Sequence, residues 1–136
     1  VYGPRQDPKG EAGVNAIFIG KMLLNEPVMI NGDGNQERDY VYVEDVVNAN
    51  VLALDKGSGN AYNVGEGIGT SVNQIFAELK GIIGYKPAAN YGPAKQGEIY
   101  KIVLDAGKIK RELGWKPAMS FKEGLQKTVK WHKSAG

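Results

Sequence analysis

Arg38 is the residue of this sequence whose setting points most directly to chemistry. It stands in the stretch NGDGNQERDYVYVEDV, residues 31–46, between a glycine-rich turn and a run of β-branched and aromatic residues. A guanidinium at the start of a buried strand needs an anionic partner, because an unpaired charge is costly to remove from water. That partner is Asp39, Glu98 or a ligand phosphate. The site is therefore either a structural ion pair or a phosphate-binding site.

A second candidate site lies in the stretch GPAKQGEIYK, residues 92–101. Lys95 and Glu98 are on a loop that is bordered by glycine and proline and leads into a predicted strand. Ligand contacts concentrate on loops of this kind, although an ordinary solvated loop has the same composition. Together with Arg38, this loop indicates a phosphate-binding domain.

Two stretches imitate known motifs but fail at single positions. GEGIGT, residues 65–70, lies between a predicted strand and a predicted helix, but a dinucleotide fingerprint needs glycine where Thr70 stands. We interpret it as a strand-to-helix connection. In residues 33–44, Arg38 takes the position at which a calcium loop needs glycine, so no metal site is predicted. The only histidine, His132, is interpreted as a solvated surface residue.

Composition limits the classes of function. The chain has 136 residues, enough for one domain, residues 1–136, with a real hydrophobic core. A net charge of +2 argues against nucleic acid as the main partner. The absence of cysteine removes disulfides, thiol catalysis and cysteine-based zinc sites. The apolar runs are too short for a membrane span, so we expect no membrane partner and a cytoplasmic location.

Hydrophobic periodicity and helix-end signals predict an α/β fold. Helical patterns alternate with short β-branched or aromatic runs, and capping boxes are expected at Ser71 with Gln74 and at Ser120 with Glu123. The predicted helices cover residues 7–27, 44–57, 71–84, 106–114 and 120–133. The predicted strands cover residues 28–30, 39–43, 60–65 and 98–105.

Five stretches together resemble the NAD-dependent epimerase/dehydratase family, a group of extended short-chain dehydrogenases/reductases, and within it the UDP-glucose (UDP-galactose) 4-epimerase branch. In that family they occur in the same order. They are VYGPRQDP (1–8), GDGNQERDYVYVEDV (32–46), AYNVGEG (61–67), PAKQGEI (93–99) and LGWKP (113–117).

The resemblance implies that the chain is the C-terminal nucleotide-sugar-binding portion, including strands that complete a Rossmann sheet. In the family, the N-terminal Rossmann domain carries the NAD loop, a catalytic Ser/Thr and a Tyr-x-x-x-Lys pair. All of these precede the motif that here begins at Val1. NAD is thus the cofactor of the full-length family, and none is expected for this chain alone. No catalytic residue is assigned.

One Tyr-x-x-x-Lys pair does occur, Tyr91 with Lys95. The catalytic pair of the family lies on a helix, where the two side chains share a face and the lysine lowers the pKa of the tyrosine. Gly92 and Pro93 separate the two residues here, so this segment is not expected to be helical. We interpret the spacing as a coincidence.

The resemblance also implies roles in substrate binding. Arg38 contacts the diphosphate of a nucleotide sugar, because its fixed fork suits two bridged phosphates. Tyr40 lies along the same pocket. Met29 and Asn31 contact the uracil, largely through their backbone.

Lys95 and Glu98 fall on a loop that the family usually writes Arg-x-Gly-Asp, where the arginine contacts phosphate and the acid contacts ribose. Lysine keeps the charge but loses the bidentate geometry, and glutamate is one methylene longer than aspartate. Affinity or sugar preference is therefore expected to differ from the family pattern.

The predicted function is binding of a UDP-sugar for an NAD-dependent 4-epimerase, with no activity of the chain alone. The alternatives are a stand-alone nucleotide-sugar-binding module and the same portion of a dTDP-glucose 4,6-dehydratase or sugar reductase. The expected partners are a UDP-sugar and the missing Rossmann domain. Isolation exposes strand edges, so we also expect marginal stability and self-association.

Overall fold

Helices and short strands alternate along the chain, as predicted for an α/β protein. The computed structural model describes residues 1–9 and 13–135. Within these ranges the elements are α1 (Val14–Leu23), β1 (Met29–Asn31), β2 (Glu37–Asp39), α2 (Val43–Lys56), β3 (Gly69–Ser71), α3 (Val72–Ile83), β4 (Asn90–Gly92), α4 (Gly107–Leu113) and α5 (Phe121–Ala135). No helix in these ranges combines the length and the apolar character needed to cross a membrane.

The strands form two small sheets. β1 pairs in parallel with β4, with Met29 opposite Asn90. β2 pairs antiparallel with β3, with Arg38 opposite Thr70. Arg38 is thereby held in extended backbone at the centre of a three-residue strand, which fixes the direction in which its side chain leaves the sheet.

Two isolated bridges connect distant segments to these sheets. Tyr2 pairs in parallel with Tyr42, and Glu37 pairs in parallel with Lys101. The second bridge brings the loop that carries Glu98 alongside β2. Segments separated by about sixty residues in sequence are therefore adjacent at the start of β2.

The capping box at the start of α3 is confirmed. The Ser71 hydroxyl accepts a hydrogen bond from the backbone N–H of Gln74 at 3.2 Å, and the Gln74 side chain accepts from the backbone N–H of Ser71 at 2.8 Å. The helix ends at Gly84, whose left-handed backbone (φ 78°) favours glycine. The buried face is the predicted stripe of Val72, Ile75, Phe76 and Leu79.

The larger core cluster lies between α1, α3 and α5, which pack against one another. Its fully buried side chains include Ile19, Val28, Ile75, Leu79 and Leu125. A smaller cluster joins α2 to α4 and consists of Val41, Ala49, Ile109, Leu113 and Trp115. Because burial of a large apolar side chain stabilises by about 1.5–3 kcal/mol, these clusters hold the short strands in register.

The predicted strands differ from the observed ones. The strand predicted at 39–43 is instead β2, which ends at Asp39, and α2 begins at Val43. The segment 60–65 forms no strand, and 98–105 contributes a single bridge at Lys101. Neither β3 nor β4 was predicted. Aromatic and β-branched composition favours a strand only where a neighbouring backbone supplies hydrogen bonds, and that neighbour is set by tertiary structure.

Candidate functional site

Five of the six predicted substrate-binding residues line one cavity. Met29, Asn31, Arg38, Tyr40 and Glu98 surround a volume of about 610 Å³, which we call the main cavity. A cavity of this size falls within the range of small-molecule sites in proteins. The structure thus brings together three segments that are separate in the sequence.

Lys95, the sixth residue, lies outside the main cavity. It lines an adjoining pocket of about 250 Å³. Asn31, Gln36 and Glu98 line both volumes, so the two are neighbours. In the adjoining pocket the hydroxyl of Tyr100 donates to the Asp33 carboxylate at 3.1 Å.

Arg38 is held by two contacts at the wall of the main cavity. Its Nη1 donates to the backbone oxygen of Glu37 at 2.8 Å, and its Nη2 lies 3.6 Å from Oε1 of Glu98. About a third of each side chain in this ion pair is exposed, 30% for Arg38 and 32% for Glu98. A pair this exposed contributes little to folding, and most of the guanidinium N–H donors remain available to a ligand anion.

Asp39 is not the partner of Arg38, because its carboxylate is already engaged. Its oxygens accept hydrogen bonds from the backbone N–H groups of Glu66 at 2.7 Å, Gly67 at 2.9 Å and Leu104 at 3.2 Å. A Cβ at Gly65 would lie 2.8 Å from the same carboxylate. Asp39 therefore fastens the loop at residues 65–70 to β2.

This arrangement also tests whether the loop at 65–70 fits the pyrophosphate of a dinucleotide cofactor. A cofactor loop needs free backbone N–H groups that point at the phosphates. Here the N–H groups of Glu66 and Gly67 point at Asp39. The loop does not fit the cofactor, which supports its interpretation as a connection that leads into β3 and α3.

Tyr40 forms an aromatic wall of the main cavity. Its ring packs against Phe121 with centroids 5.8 Å apart. Burial raises the pKa of Tyr40 to about 12, although the nearby charge of Arg38 lowers it in part. The hydroxyl therefore stays protonated at neutral pH.

Met29 and Asn31 are placed by β1. The backbone oxygen of Asn31 accepts a hydrogen bond from Nε2 of Gln36 at 2.9 Å. Half of the Met29 surface is exposed, 50%, while Ile30 between the two residues is buried in the core. Ile30 thus packs in the core, while Met29 and Asn31 on either side of it line the cavity. This alternation is expected of extended backbone.

The Tyr91–Lys95 spacing has no catalytic geometry. Tyr91 belongs to β4, not to a helix, and its hydroxyl donates to Oδ1 of Asn73 at 2.8 Å. Lys95 follows in a loop and lines the pocket beside the main cavity. The two side chains do not share a helix face, as expected from Gly92 and Pro93.

Several lining residues were not found from the sequence. Gln6, Asn15 and Gln36 line the main cavity. Gln6 and Gln36 lie within stretches that carry the family resemblance, but none of the three residues was assigned a role. The sequence did contain one indication for Asn15, because this polar residue interrupts the otherwise apolar start of α1. Gln6 and Gln36 had none, since an amide in a polar loop is ordinary.

His132 is not the solvated residue that the sequence predicted. It is half-buried on α5 beside Trp131, with ring centroids 4.9 Å apart, and burial lowers its pKa. The helix turns this position partly toward the protein, which its place near the end of the sequence did not indicate.

Glu66 is the carboxyl group most perturbed by its surroundings. Burial, followed by the charges of Asp45 and Asp39, raises its pKa from 4.5 to about 7. The folded chain therefore holds this proton more tightly than the unfolded chain. Stability from this group is complete below pH 4.5 and is lost as the pH rises through about 7.

We expect Glu66→Gln to be more stable than the unaltered chain at pH 8 and equally stable near pH 4. Glutamine cannot ionise, so it avoids both the cost of burying a charge and the repulsion from Asp45 and Asp39 that develop as Glu66 loses its proton. The expected gain at pH 8 is about 1 kcal/mol, discounted for solvent screening of a partly exposed carboxyl. Urea unfolding across this pH range measures it.

Two controls isolate the effect of Glu66. His132 also titrates, with the opposite slope, because its lowered pKa makes stability rise with pH. It is unchanged in both proteins, so it cancels in their difference. Glu78→Gln, at an exposed position on α3, should leave the free energy of unfolding unchanged at both pH values. A Glu66→Gln difference that does not vary with pH would contradict the prediction.

Comparison with known proteins places this geometry in a family. Residues 1–65 match the model of the NAD dependent epimerase/dehydratase family. The crystal structure of UDP-glucose 4-epimerase with UDP-glucose from Thermotoga maritima superposes with a TM-score of 0.96 at 52% identity. That match covers 98% of this chain and 43% of the other.

Two curated relatives show the same partial coverage. UDP-glucose 4-epimerase of Mycolicibacterium smegmatis is 41% identical over 98% of this chain and 43% of its own length. The dTDP-glucose 4,6-dehydratase of Haemophilus influenzae is 34% identical over 85% of this chain and 38% of its own. The chain thus spans about two fifths of the length of these relatives. Its fold is that of the extended short-chain dehydrogenases/reductases, and the chain belongs to the NAD dependent epimerase/dehydratase family.

Proposed function

We propose that the chain is the nucleotide-sugar-binding portion of an NAD-dependent UDP-glucose/UDP-galactose 4-epimerase. In this proposal Arg38 binds the diphosphate, Met29 and Asn31 contact the uracil, and Tyr40 lies along the pocket. Lys95 adds a second cation from the adjoining pocket, and Glu98 accepts from a ribose hydroxyl. The likeness to a structure solved with UDP-glucose supports the choice of ligand.

The observation that carries the proposal is the setting of Arg38. A cation with free donors opens onto a cavity of about 610 Å³ whose other walls are largely apolar or aromatic. Its internal partner, Glu98, is 3.6 Å away and partly exposed, so a diphosphate can displace it. A purely structural ion pair has no need of such a cavity.

In this proposal the chain binds and orients, while the Rossmann portion supplies the chemistry. NAD, when bound to the complete enzyme, provides reversible oxidation of the sugar. The chain holds the nucleotide end in place, which converts a loose encounter into a positioned one. The loop at 65–70 does not fit NAD, so we assign no cofactor contact to it.

The expected result is that the chain binds UDP-glucose but does not convert it to UDP-galactose when NAD⁺ is added. The described residues include no helical Tyr-x-x-x-Lys pair, so the sugar hydroxyl has no base to remove its proton. Isothermal titration calorimetry measures binding, and chromatography of the sugar nucleotides measures conversion.

Circular dichroism provides the control that the chain is folded under the conditions of the titration. A folded chain that binds neither UDP nor UDP-glucose contradicts the binding role. Turnover by the chain with NAD⁺ contradicts the assignment of catalysis to another portion.

The second candidate is that the chain is the corresponding portion of a dTDP-glucose 4,6-dehydratase. The similarity to the Haemophilus influenzae enzyme supports this candidate. The two proposals differ in the nucleotide that is expected to bind. Titration with UDP-glucose and dTDP-glucose side by side separates them: preference for dTDP-glucose would favour the dehydratase portion over the epimerase portion.

A further inference from the structure

We propose that Gln6 and Asn15 form a hydrogen-bonding subsite of the main cavity that takes the hydroxyl groups of the sugar. The inference rests on the proposed function, because it assigns one end of the same ligand. It adds two neutral side chains to the proposed contacts of the charged residues and of β1.

Asn15 is a buried amide without a partner. It is 1% exposed, and among the described residues neither Oδ1 nor Nδ2 has a hydrogen-bond partner. An unpaired buried amide is costly, so such groups in native proteins need an explanation. Asn15 lines the main cavity, where a bound molecule can provide both an acceptor and a donor.

Gln6 places a second unpaired group at the same wall. Its Oε1 is buried without a partner among the described residues, and the residue lines the main cavity. Its Nε2 would lie 3.0 Å from a Cβ at Gly13, the N-cap residue of α1. Asn15 is the second residue of that helix. The two amides are thus both at the start of α1.

The chemistry of this wall matches hydroxyl groups rather than phosphate. Val14 and Ile17 accompany the two amides at the start of α1, and all four side chains are neutral. The charged side chains of the cavity, Arg38, Asp39 and Glu98, come from β2 and from the loop at 92–101. Neutral amides that offer both donors and acceptors suit neutral groups that do the same, and sugar hydroxyls are such groups.

The position of the wall selects the sugar rather than the nucleoside. Two of the three proposed nucleoside contacts, Asn31 and Glu98, line both the main cavity and the adjoining pocket, which puts the nucleoside toward that shared end. Gln6 and Asn15 line the main cavity only. With the diphosphate at Arg38, the remaining end of the cavity is left for the sugar.

The test is Asn15→Val, measured with UDP-glucose and with UDP. Valine has a similar size but no hydrogen-bonding groups. We expect the Kd for UDP-glucose to rise about tenfold while the Kd for UDP stays unchanged. We also expect the ligand-free melting temperature to rise, because an unpaired buried amide has been removed. A variant that is more stable but binds UDP-glucose more weakly would indicate that the Asn15 amide serves ligand binding at a cost in stability.

Gln6→Leu is the second variant, with the same expected pattern, and it keeps the proposal testable if Asn15→Val does not fold. Thr128→Val is the matched control. Thr128 is a buried polar residue on α5 whose hydroxyl donates to the backbone oxygen of Gly124 at 2.7 Å, away from the cavity. Its loss should lower the melting temperature and leave both affinities unchanged.

The other possible results would each contradict a specific part of the proposal. An equal loss of affinity for UDP and UDP-glucose would move the amides to the nucleoside and refute the sugar assignment. Unchanged binding of both ligands, or a lowered melting temperature, would show that the amides serve the fold. If the unaltered chain binds neither ligand, the proposed function fails first; if it binds both and the variants bind equally well, only the subsite fails.

Discussion

Arg38→Ala is expected to weaken UDP binding by about 1.5–3 kcal/mol, a loss of roughly 10- to 150-fold in affinity. The variant removes the guanidinium proposed to bind the diphosphate, and hydrogen bonds to charged groups are among the stronger ones in proteins. Calorimetric titration with UDP measures the change. The stability of the ligand-free chain should change by less than about 1 kcal/mol, because the Arg38–Glu98 pair is partly exposed.

A neighbouring cation provides the control for net charge. Lys101 pairs with Glu37 at 2.7 Å, has a side chain that is 64% exposed and lines neither the main cavity nor the adjoining pocket. Lys101→Ala removes the same charge and should change UDP affinity only slightly. If Arg38→Ala and the unaltered chain bind UDP with equal affinity, Arg38 has only the structural role of an ion pair with Glu98.

Glu98→Gln separates two roles of the acid beside Arg38. The carboxylate competes with a diphosphate for the guanidinium in the free chain, and it is proposed to accept from a ribose hydroxyl in the complex. Glutamine removes the competing charge but keeps a carbonyl acceptor. We therefore expect a smaller effect than that of Arg38→Ala, measured by the same titration.

Asp45→Ala is expected to destabilise the fold by about 3 kcal/mol. The carboxylate is buried, with 2% exposure, and accepts hydrogen bonds from the backbone N–H groups of Ala118 at 3.0 Å and Met119 at 3.1 Å. Its backbone oxygen accepts from the indole of Trp115 at 2.8 Å. The substitution leaves two amide donors without partners and loosens the segment that leads into α5. Urea unfolding measures the loss.

The exposed neighbour of Asp45 is the matched control. Glu44 lies in the same first turn of α2 and pairs with Lys127 at 3.8 Å, in an exposed pair of the kind that contributes little. Glu44→Ala should cost less than about 0.5 kcal/mol. A loss of that size for Asp45→Ala would contradict the prediction.

Asp45→Ala has a second readout in Glu66. The Asp45 charge is one of the causes that raise the pKa of Glu66. Removing that charge should lower the pKa of Glu66 toward its ordinary value, as followed by NMR titration of the side chain. A pKa that does not move would show that burial and the charge of Asp39 account for the shift without Asp45.

Local chemistry made several elements predictable. The capping box at Ser71 and the apolar stripe of α3 depend on residues within one or two helical turns, so the sequence contains all their partners. The same holds for the non-helical backbone between Tyr91 and Lys95. Strand extents were predicted poorly, because the pairing of Glu37 with Lys101 depends on a segment more than sixty residues away.

The acids at the start of α2 show the same division. Their types and positions predict a favourable interaction with the helix dipole, which is local. That Asp45 is buried while Glu44 is exposed depends on which side of the helix meets the segment at 115–119. No short-range pattern contains that information.

The sequence by itself determined the family, the α/β class and the residue types that a phosphate site needs, because each is written in local motifs and their order. Only the tertiary structure decided that Glu98, not Asp39, faces Arg38, that five predicted residues share one cavity, and that Gln6 and Asn15 lie at its wall. Those facts depend on distances between segments far apart in the chain, which packing of the whole core sets and no single segment contains.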